Sequence, residues 1–164
     1  MSHNAIRKYS KNMYKLPITL DFSHNKLKKL TPPKMKVPQI HKIDVSHNLL
    51  SQLPNNFNNL QCMTRLDLSN NHLVEISEQL GLTKYIRWLD LSHNLLDELP
   101  ENFCALGYAI DELYVTNNHL TTLPQNIDNF KVTVECGDVS TAWSVCVATH
   151  PSKYHGPSAT VKYM

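Results

Sequence analysis

Apolar and polar residues alternate with a period of two in five short stretches of this chain. In each stretch two apolar residues flank a single polar position, which is Asp four times and Tyr once. Alternation of this kind predicts a short strand that buries one face and exposes the other. The apolar pairs are Leu20 with Phe22, Ile43 with Val45, Leu66 with Leu68, Leu89 with Leu91, and Leu113 with Val115.

The five stretches belong to a longer repeating unit. It contains the octapeptides LDFSHNKL, IDVSHNLL, LDLSNNHL, LDLSHNLL and LYVTNNHL, whose final asparagines are 23, 23, 23 and 24 residues apart. This period is too short for a helix pair, and a single unit could not bury its apolar face alone. The repeat therefore predicts a stack of units, each with one strand.

Further apolar positions complete each unit. Leucine follows the asparagine after two residues, and another apolar residue follows it after five, at Leu30, Leu53, Ile76, Leu99 and Leu123. Three units then carry an apolar pair with a spacing of three, which suits a short helical or 3₁₀ turn on the side opposite the strands. These pairs are Phe57 with Leu60, Phe103 with Leu106, and Ile127 with Phe130.

The recurring asparagine has a structural explanation. A chain that turns from a strand toward the core leaves backbone N–H and C=O groups without partners, at a cost of about 1–3 kcal/mol for each buried group. An Asn amide donates and accepts, so a stacked column could bond the turns above and below it. We predict this structural role for Asn25, Asn48, Asn71, Asn94 and Asn118.

The pattern LxxLxLxxNxLxxLP, seen best from Ile86 to Pro100, resembles a leucine-rich repeat. The 23-residue unit with LPxxFxxL is similar to the intracellular class in Ras-pathway scaffolds, Ras suppressor protein and Scribble-type polarity proteins. The resemblance implies an α/β solenoid with a parallel sheet on its concave side and short helical or 3₁₀ turns on its convex side. It also implies that protein partners dock on the concave face.

The repeat divides the chain into three parts: a basic N-terminal segment over 1–15, five leucine-rich repeats over 16–130, and a degenerate C-terminal cap with an irregular tail over 131–164. Alternation at Val132, Val134 and Cys136 favours a sixth strand at the sheet edge. The repeat ends abruptly there, so a truncated form of a larger repeat protein is an alternative.

Charge is distributed unevenly along the chain. Residues 1–50 hold ten basic side chains against two acidic ones, whereas residues 51–130 hold three basic against ten acidic, within a net charge of +2. The basic end could bind an acidic polymer or a membrane surface. Its lysines lack the interleaved aromatics of a nucleic-acid stacking platform. They are Lys26, Lys28, Lys29, Lys34 and Lys36.

Composition and motifs restrict the classes of function. The 164 residues contain no apolar run near the roughly 20 residues of a membrane span, and the four cysteines are few and widely spaced. We therefore expect a cytoplasmic or nuclear protein. The sequence contains no phosphate-loop, His-Glu-x-x-His or nucleophile-elbow motif. We therefore predict that the protein is not an enzyme and binds no cofactor.

Two groups of side chains could in principle hold a metal. The histidines and aspartates of the strand columns have suitable ligand atoms, but repetition explains them better. Cys136, Cys146, His150 and His155 form a second set, in which the Cys-x₉-Cys gap lies outside the zinc-finger range. We predict no metal site.

The outward strand positions should form columns across the sheet, because neighbouring strands lie about 4.8 Å apart. Exceptions to the repeat consensus are the informative positions. Trp88 and Tyr114 are aromatic, Arg65 precedes Trp88 by one strand, and these residue types are enriched in binding hot spots. Packing of the aromatics merely to cover the sheet is the alternative. The predicted partner-binding residues are Arg65, Asp67, Trp88, Asp90, His93, Glu112 and Tyr114.

Taken together, these features predict a non-enzymatic protein-binding module, a scaffold or adaptor in intracellular signalling. We expect it to be a monomer without a small-molecule substrate. Four stacked aspartates would favour a basic partner on the concave face. Electrostatic binding through the basic end is the competing hypothesis.

Overall fold

The computed structural model describes residues 5–8, 18–31, 40–55, 57–103, 110–121, 124 and 133–135. Within them, six strands form one sheet in chain order, and each strand is parallel to the next. They are β1 (Ile18–Asp21), β2 (Ile40–Asp44), β3 (Arg65–Asp67), β4 (Trp88–Asp90), β5 (Glu112–Tyr114) and β6 (Thr133–Glu135). The predicted leucine-rich repeat solenoid is confirmed, with a sixth strand where the alternation favoured one.

The core follows the repeat pattern. Every described apolar position predicted from the strand pairs and from the two spacings after asparagine is at most 6% exposed. Equivalent residues pair in register across the sheet, as Ile43 does with Leu66 and Leu66 with Leu89. Repetition thus places one leucine above the next and produces a continuous apolar interior. Leu123, Leu106, Ile127 and Phe130 lie outside the described residues.

The segments between strands contain short 3₁₀ helices. One spans Phe57–Asn59 and another Glu78–Leu82, and the two pack against each other. Ser77 caps the second helix, where its Oγ accepts a hydrogen bond from the Gln79 amide at 3.3 Å. The sequence pattern anticipated the first helix from Phe57. It missed the second, whose buried residues are Leu80 and Gly81. Among the described residues, no helix has the length and apolarity that a bilayer span requires.

A left-handed residue precedes each asparagine of the column. These residues have φ angles between 52° and 55°, and all are His or Asn, which tolerate this conformation better than most residues with a Cβ. The backbone turns sharply there, at the end of each strand segment. The left-handed turn explains why the same two residue types occupy these positions: His24, His47, Asn70, His93 and Asn117.

Residues 5–8 dock against the first repeat. The Ile6 amide donates to Asn25 Oδ1 at 3.0 Å, and the Ile6 carbonyl accepts from the Lys26 amide at 2.9 Å. Leu27 makes the equivalent two bonds with Asn48 and Leu49 in the next repeat. Ile6 also packs on the core. This short segment therefore occupies the position of a preceding repeat.

Candidate functional site

The outward strand residues form the columns that the repeat predicted. Backbone register joins Thr19, Lys42, Arg65, Trp88 and Glu112 in one column. The neighbouring column contains Asp21, Asp44, Asp67, Asp90 and Tyr114. Both columns cross the concave face of the solenoid. A partner on that face would meet a largely acidic column beside one that holds Arg and Trp.

Each aspartate of the acidic column is bonded within its own turn. Asp67 Oδ1 accepts from the Ser69 amide at 3.1 Å and from Ser69 Oγ at 2.8 Å, and the other three Asp-x-Ser units repeat this arrangement. Asp44, Asp67 and Asp90 form no ion pair within the described residues. Their negative charge is therefore held by serine donors and not by the neighbouring basic side chains.

Asp67 lies in the middle of this acidic column. Burial raises the pKa of its carboxyl, and repulsion from Asp44 and Asp90 acts in the same direction. The two hydrogen bonds from Ser69 oppose that rise because they favour the charged form. The raised pKa indicates a carboxylate that would gain from a nearby positive charge.

Arg65, Trp88 and Tyr114 pack side by side across three strands, and we call them the concave cluster. Arg65 Cζ lies 3.3 Å from the centroid of the Trp88 ring, a cation–π contact. The Trp88 and Tyr114 rings are 5.5 Å apart and tilted by 48°. Tyr114 also donates its hydroxyl hydrogen to Glu112 Oε2 at 2.7 Å. The three side chains are half-buried and hold one another in place.

The remaining predicted residues surround the concave cluster. Glu112 is exposed at its edge, and Asp67 and Asp90 are half-buried in the acidic column. His93 lies further along, in the turn after β4, where its Nε2 is 3.2 Å from Asn117 Nδ2. Its left-handed backbone already explains its residue type. The structure thus brings Arg65, Trp88, Tyr114 and Glu112 together and places His93 in a separate turn.

The asparagine column connects adjacent repeats. Asn71 Nδ2 lies 3.0 Å from the Val45 carbonyl of the preceding repeat, and its Oδ1 accepts from the Leu50 amide at 3.0 Å. The same Nδ2 also bonds the Leu68 and Ser69 carbonyls of its own turn, at 3.1 Å each. The expectation of bonds above and below was wrong in one respect. Each amide bonds its own turn and the preceding repeat.

Two features were missed in the sequence. Residues 2–6 read SHNAI, which matches the SHNLL of later repeats and could have indicated the docking of Ile6. That docking brings Arg7 and Lys8 to the basic residues after Asn25. The second feature is the stacking of His24 on His47, whose rings are 4.1 Å apart and inclined by 11°. It follows from the equivalent turns that carry them.

The described residues include no group of three or more His, Cys, Asp or Glu side chains placed to hold a metal ion. Cys62 is a free thiol in the same part of the chain. The cysteine and histidine set Cys136, Cys146, His150 and His155 lies outside it, as do Lys34 and Lys36 of the basic end.

Comparisons with known proteins concern the fold. A family model described as Leucine Rich Repeat matches residues 62–82 and 85–106. No curated protein matches the chain in sequence.

Two solved structures are similar to it. A leucine-rich repeat protein of Leptospira interrogans superposes with a TM-score of 0.66 at 21% identity, over 80% of this chain and 40% of that one. InlP of Listeria monocytogenes does so with a TM-score of 0.55 at 24% identity, over 84% of this chain and 44% of that one. The chain therefore spans less than half the length of either structure.

Proposed function

Since this chain is a leucine-rich repeat protein, we propose that it is a non-enzymatic binding module whose protein partner docks on the concave face at the concave cluster. Leucine-rich repeat domains are commonly protein-interaction modules. The observation that carries the proposal is the contact series from Arg65 through Trp88 to Tyr114. Tyr114 replaces the aspartate of its column, and Arg65, Trp88 and Tyr114 all belong to the residue types that dominate binding energy.

The geometry favours a hot spot because the cluster is already ordered. Association costs free energy when side chains lose rotamer freedom, and Arg65, Trp88 and Tyr114 are held by mutual packing before a partner arrives. Their half-burial leaves part of each surface for contact. A flat apolar or aromatic group of a partner could stack on Trp88 and Tyr114.

The acidic column beside the concave cluster indicates that the partner also presents a basic group. Asp44, Asp67 and Asp90 lie in register on adjacent strands without a basic counter-charge among the described residues. A Lys or Arg from the partner would relieve their repulsion and stabilise Asp67 in its charged form. The proposed partner therefore presents an apolar or aromatic group next to a basic one.

A scaffold or adaptor role in intracellular signalling fits such a preformed surface, and the cysteine usage supports a cytoplasmic or nuclear setting. The subclass similar to Ras-scaffold and Scribble-type proteins remains a prediction from the repeat pattern. So does the monomeric state.

The test is affinity capture from lysate of the source cells with the wild-type chain and with Trp88→Ala/Tyr114→Ala. Loss of hot-spot residues costs about 2 kcal/mol or more, so we expect partner affinity to fall about 30-fold or more. Tyr85→Ala is the matched control, because Tyr85 is 55% exposed and lies outside the strands.

Capture is compared at low and high salt, and the thermal melt of each variant checks its fold. A partner retained by the double variant would contradict the concave site. A partner that ignores the double variant and is lost in salt would shift the function to the basic end.

A further inference from the structure

A groove with strongly basic walls lies beside the first repeat, away from the concave cluster. The docked N-terminal segment forms one wall and the loop after Asn25 forms another. Its volume is about 660 Å³, which lies within the roughly 300–1,000 Å³ of typical small-molecule sites. We call it the basic groove; its main lining residues are Arg7, Lys8, Lys26, Lys28, Lys29 and Leu49.

The fold creates this concentration of charge. The hydrogen bonds of Ile6 with Asn25 and Lys26 fix the N-terminal segment, so the next two residues, Arg7 and Lys8, lie beside lysines about 20 positions later in the chain. Among the described residues, no Asp or Glu lines the groove, and none of its five basic side chains forms an ion pair.

If these lysines only kept the protein soluble, they would be expected to spread over a convex surface and not to surround one cavity. Five like charges around one concavity repel each other, and a cleft with charge of one sign focuses its potential on the space inside. An anion in the groove would relieve that repulsion. The arrangement therefore points to a ligand and not only to a solvated end.

The residue types indicate which anion. Arg pairs best with planar carboxylates through its two-pronged guanidinium, whereas Lys acts as a point charge and is a common phosphate ligand. Four of the five basic residues are Lys. A phosphate monoester carries about −1.5 to −2 at neutral pH, so about three such groups would balance five positive charges.

The described lining and its compact shape argue against two other polyanions. Single-stranded nucleic acid is held by aromatic side chains that stack on its bases, and none of the described residues that line this groove is aromatic. A long acidic polymer would be matched by an extended basic stripe, whereas these five residues surround one compact space. Leu49, 37% exposed, adds an apolar wall against which a small ring could rest.

We propose that the basic groove binds a compact ligand with about three clustered phosphate groups, of the kind found on a polyphosphorylated inositol ring. Such a group occurs free in solution and as a lipid headgroup, and the groove would recognise the same chemistry in both. This site is independent of the concave cluster.

Calorimetric titration of the full chain with inositol trisphosphate tests the proposal. Each lysine attracts the phosphate groups and each glutamate repels them, so reversing two charges in Lys26→Glu/Lys28→Glu should weaken binding at least about tenfold. Lys84→Glu/Arg87→Glu changes the net charge equally outside the groove and should leave affinity within about twofold. Arg87 would lose its exposed ion pair with Asp111, which contributes little.

Three further results decide the matter. Citrate, with three carboxylates, should bind more weakly than inositol trisphosphate, and equal affinity would refute the preference for phosphate. Equal weakening by the two double variants, or no binding by the wild-type chain, would refute the site. Thermal melts confirm that both variants remain folded.

A vesicle arm distinguishes the two sources of the ligand. The chain is sedimented with phosphatidylcholine vesicles that contain or lack phosphatidylinositol bisphosphate. Stronger binding to the lipid than to the soluble headgroup would support a membrane ligand. Equal binding would support a soluble one. Either result supports the basic groove as the binding site if the Lys26→Glu/Lys28→Glu variant no longer binds.

Discussion

At the scale of single residues, asparagine performs the task that makes the repeat possible. One side chain satisfies carbonyls of its own turn, and also a carbonyl and an amide of the preceding repeat. Asp and Ser act in a similar way within one turn, where the carboxylate accepts from the serine amide and hydroxyl. The consensus therefore consists largely of residues that pair backbone groups the strands leave free.

Asn71→Ala should destabilise the protein by about 2–4 kcal/mol, because buried carbonyls and the Leu50 amide lose their partner. Urea unfolding followed by circular dichroism measures the loss. Gln61→Ala serves as control, since Gln61 is an exposed amide in a turn. Equal midpoints for the two variants would contradict the structural role of the column.

Asp67 gives a prediction for the dependence of stability on pH. Its pKa is raised in the folded state, so the folded chain binds this proton more tightly than the unfolded chain. Its contribution to the free energy of unfolding therefore increases as pH falls through the window between the raised value and the ordinary value of 3.8.

Asp67→Asn retains the acceptor for Ser69 and removes the charge. At neutral pH we expect the melting temperature of Asp67→Asn to match or exceed that of the wild type. On acidification, the stabilisation that protonation of Asp67 gives the wild type should be absent from the variant. Melts at several pH values test this, with Asp97→Asn on an exposed loop as control. A lower neutral melting temperature for Asp67→Asn would show that burial does not oppose the charge.

At the scale of elements, the strands are only three to five residues long, so the segments between them decide how closely the repeats stack. The 3₁₀ helix Glu78–Leu82 lies close to the following repeat. Asn102 Nδ2 donates to the Glu78 carbonyl at 2.9 Å. Gly81 lies so near that a Cβ there would be 2.6 Å from the Asn102 carbonyl oxygen.

Gly81→Ala should therefore destabilise the protein by about 1–3 kcal/mol, although alanine favours helices more than glycine does. The backbone oxygen of Asn102 cannot move aside without disturbing the stacking of two repeats. Thermal and urea unfolding measure the effect, with Leu82→Ala, at a 54% exposed neighbour, as control. An increase in stability would show that the two repeats separate easily.

At the scale of the whole molecule, the solenoid places its two candidate surfaces apart. The concave cluster draws on β3, β4 and β5, whereas the basic groove lies beside the first repeat and involves the docked segment 5–8. The uneven charge along the chain thus becomes uneven charge in space, since each repeat contacts its neighbours. Loss of binding at one surface should leave the other intact.

Much of this arrangement could be predicted from the sequence. The period of 23 residues, the alternation around Asp67 and the recurrence of asparagine determined the parallel sheet, its register and the buried leucines, because in a solenoid sequence neighbours are also spatial neighbours. Tyr114 stood out because it replaces a repeated aspartate, and Trp88 because the repeat places this aromatic residue at an outward strand position.

Only the tertiary structure decided which contacts form between residues that are not equivalent in the repeat. Periodicity could not show that Arg65 stacks on Trp88 and not on an aspartate, because side-chain packing across a column depends on rotamers and competing partners. Nor could it show that Ile6 docks on the turn of Asn25 and so brings Arg7 to the groove that Lys28 also lines. That contact depends on the shape of the turn, which exists only once the repeats have folded together.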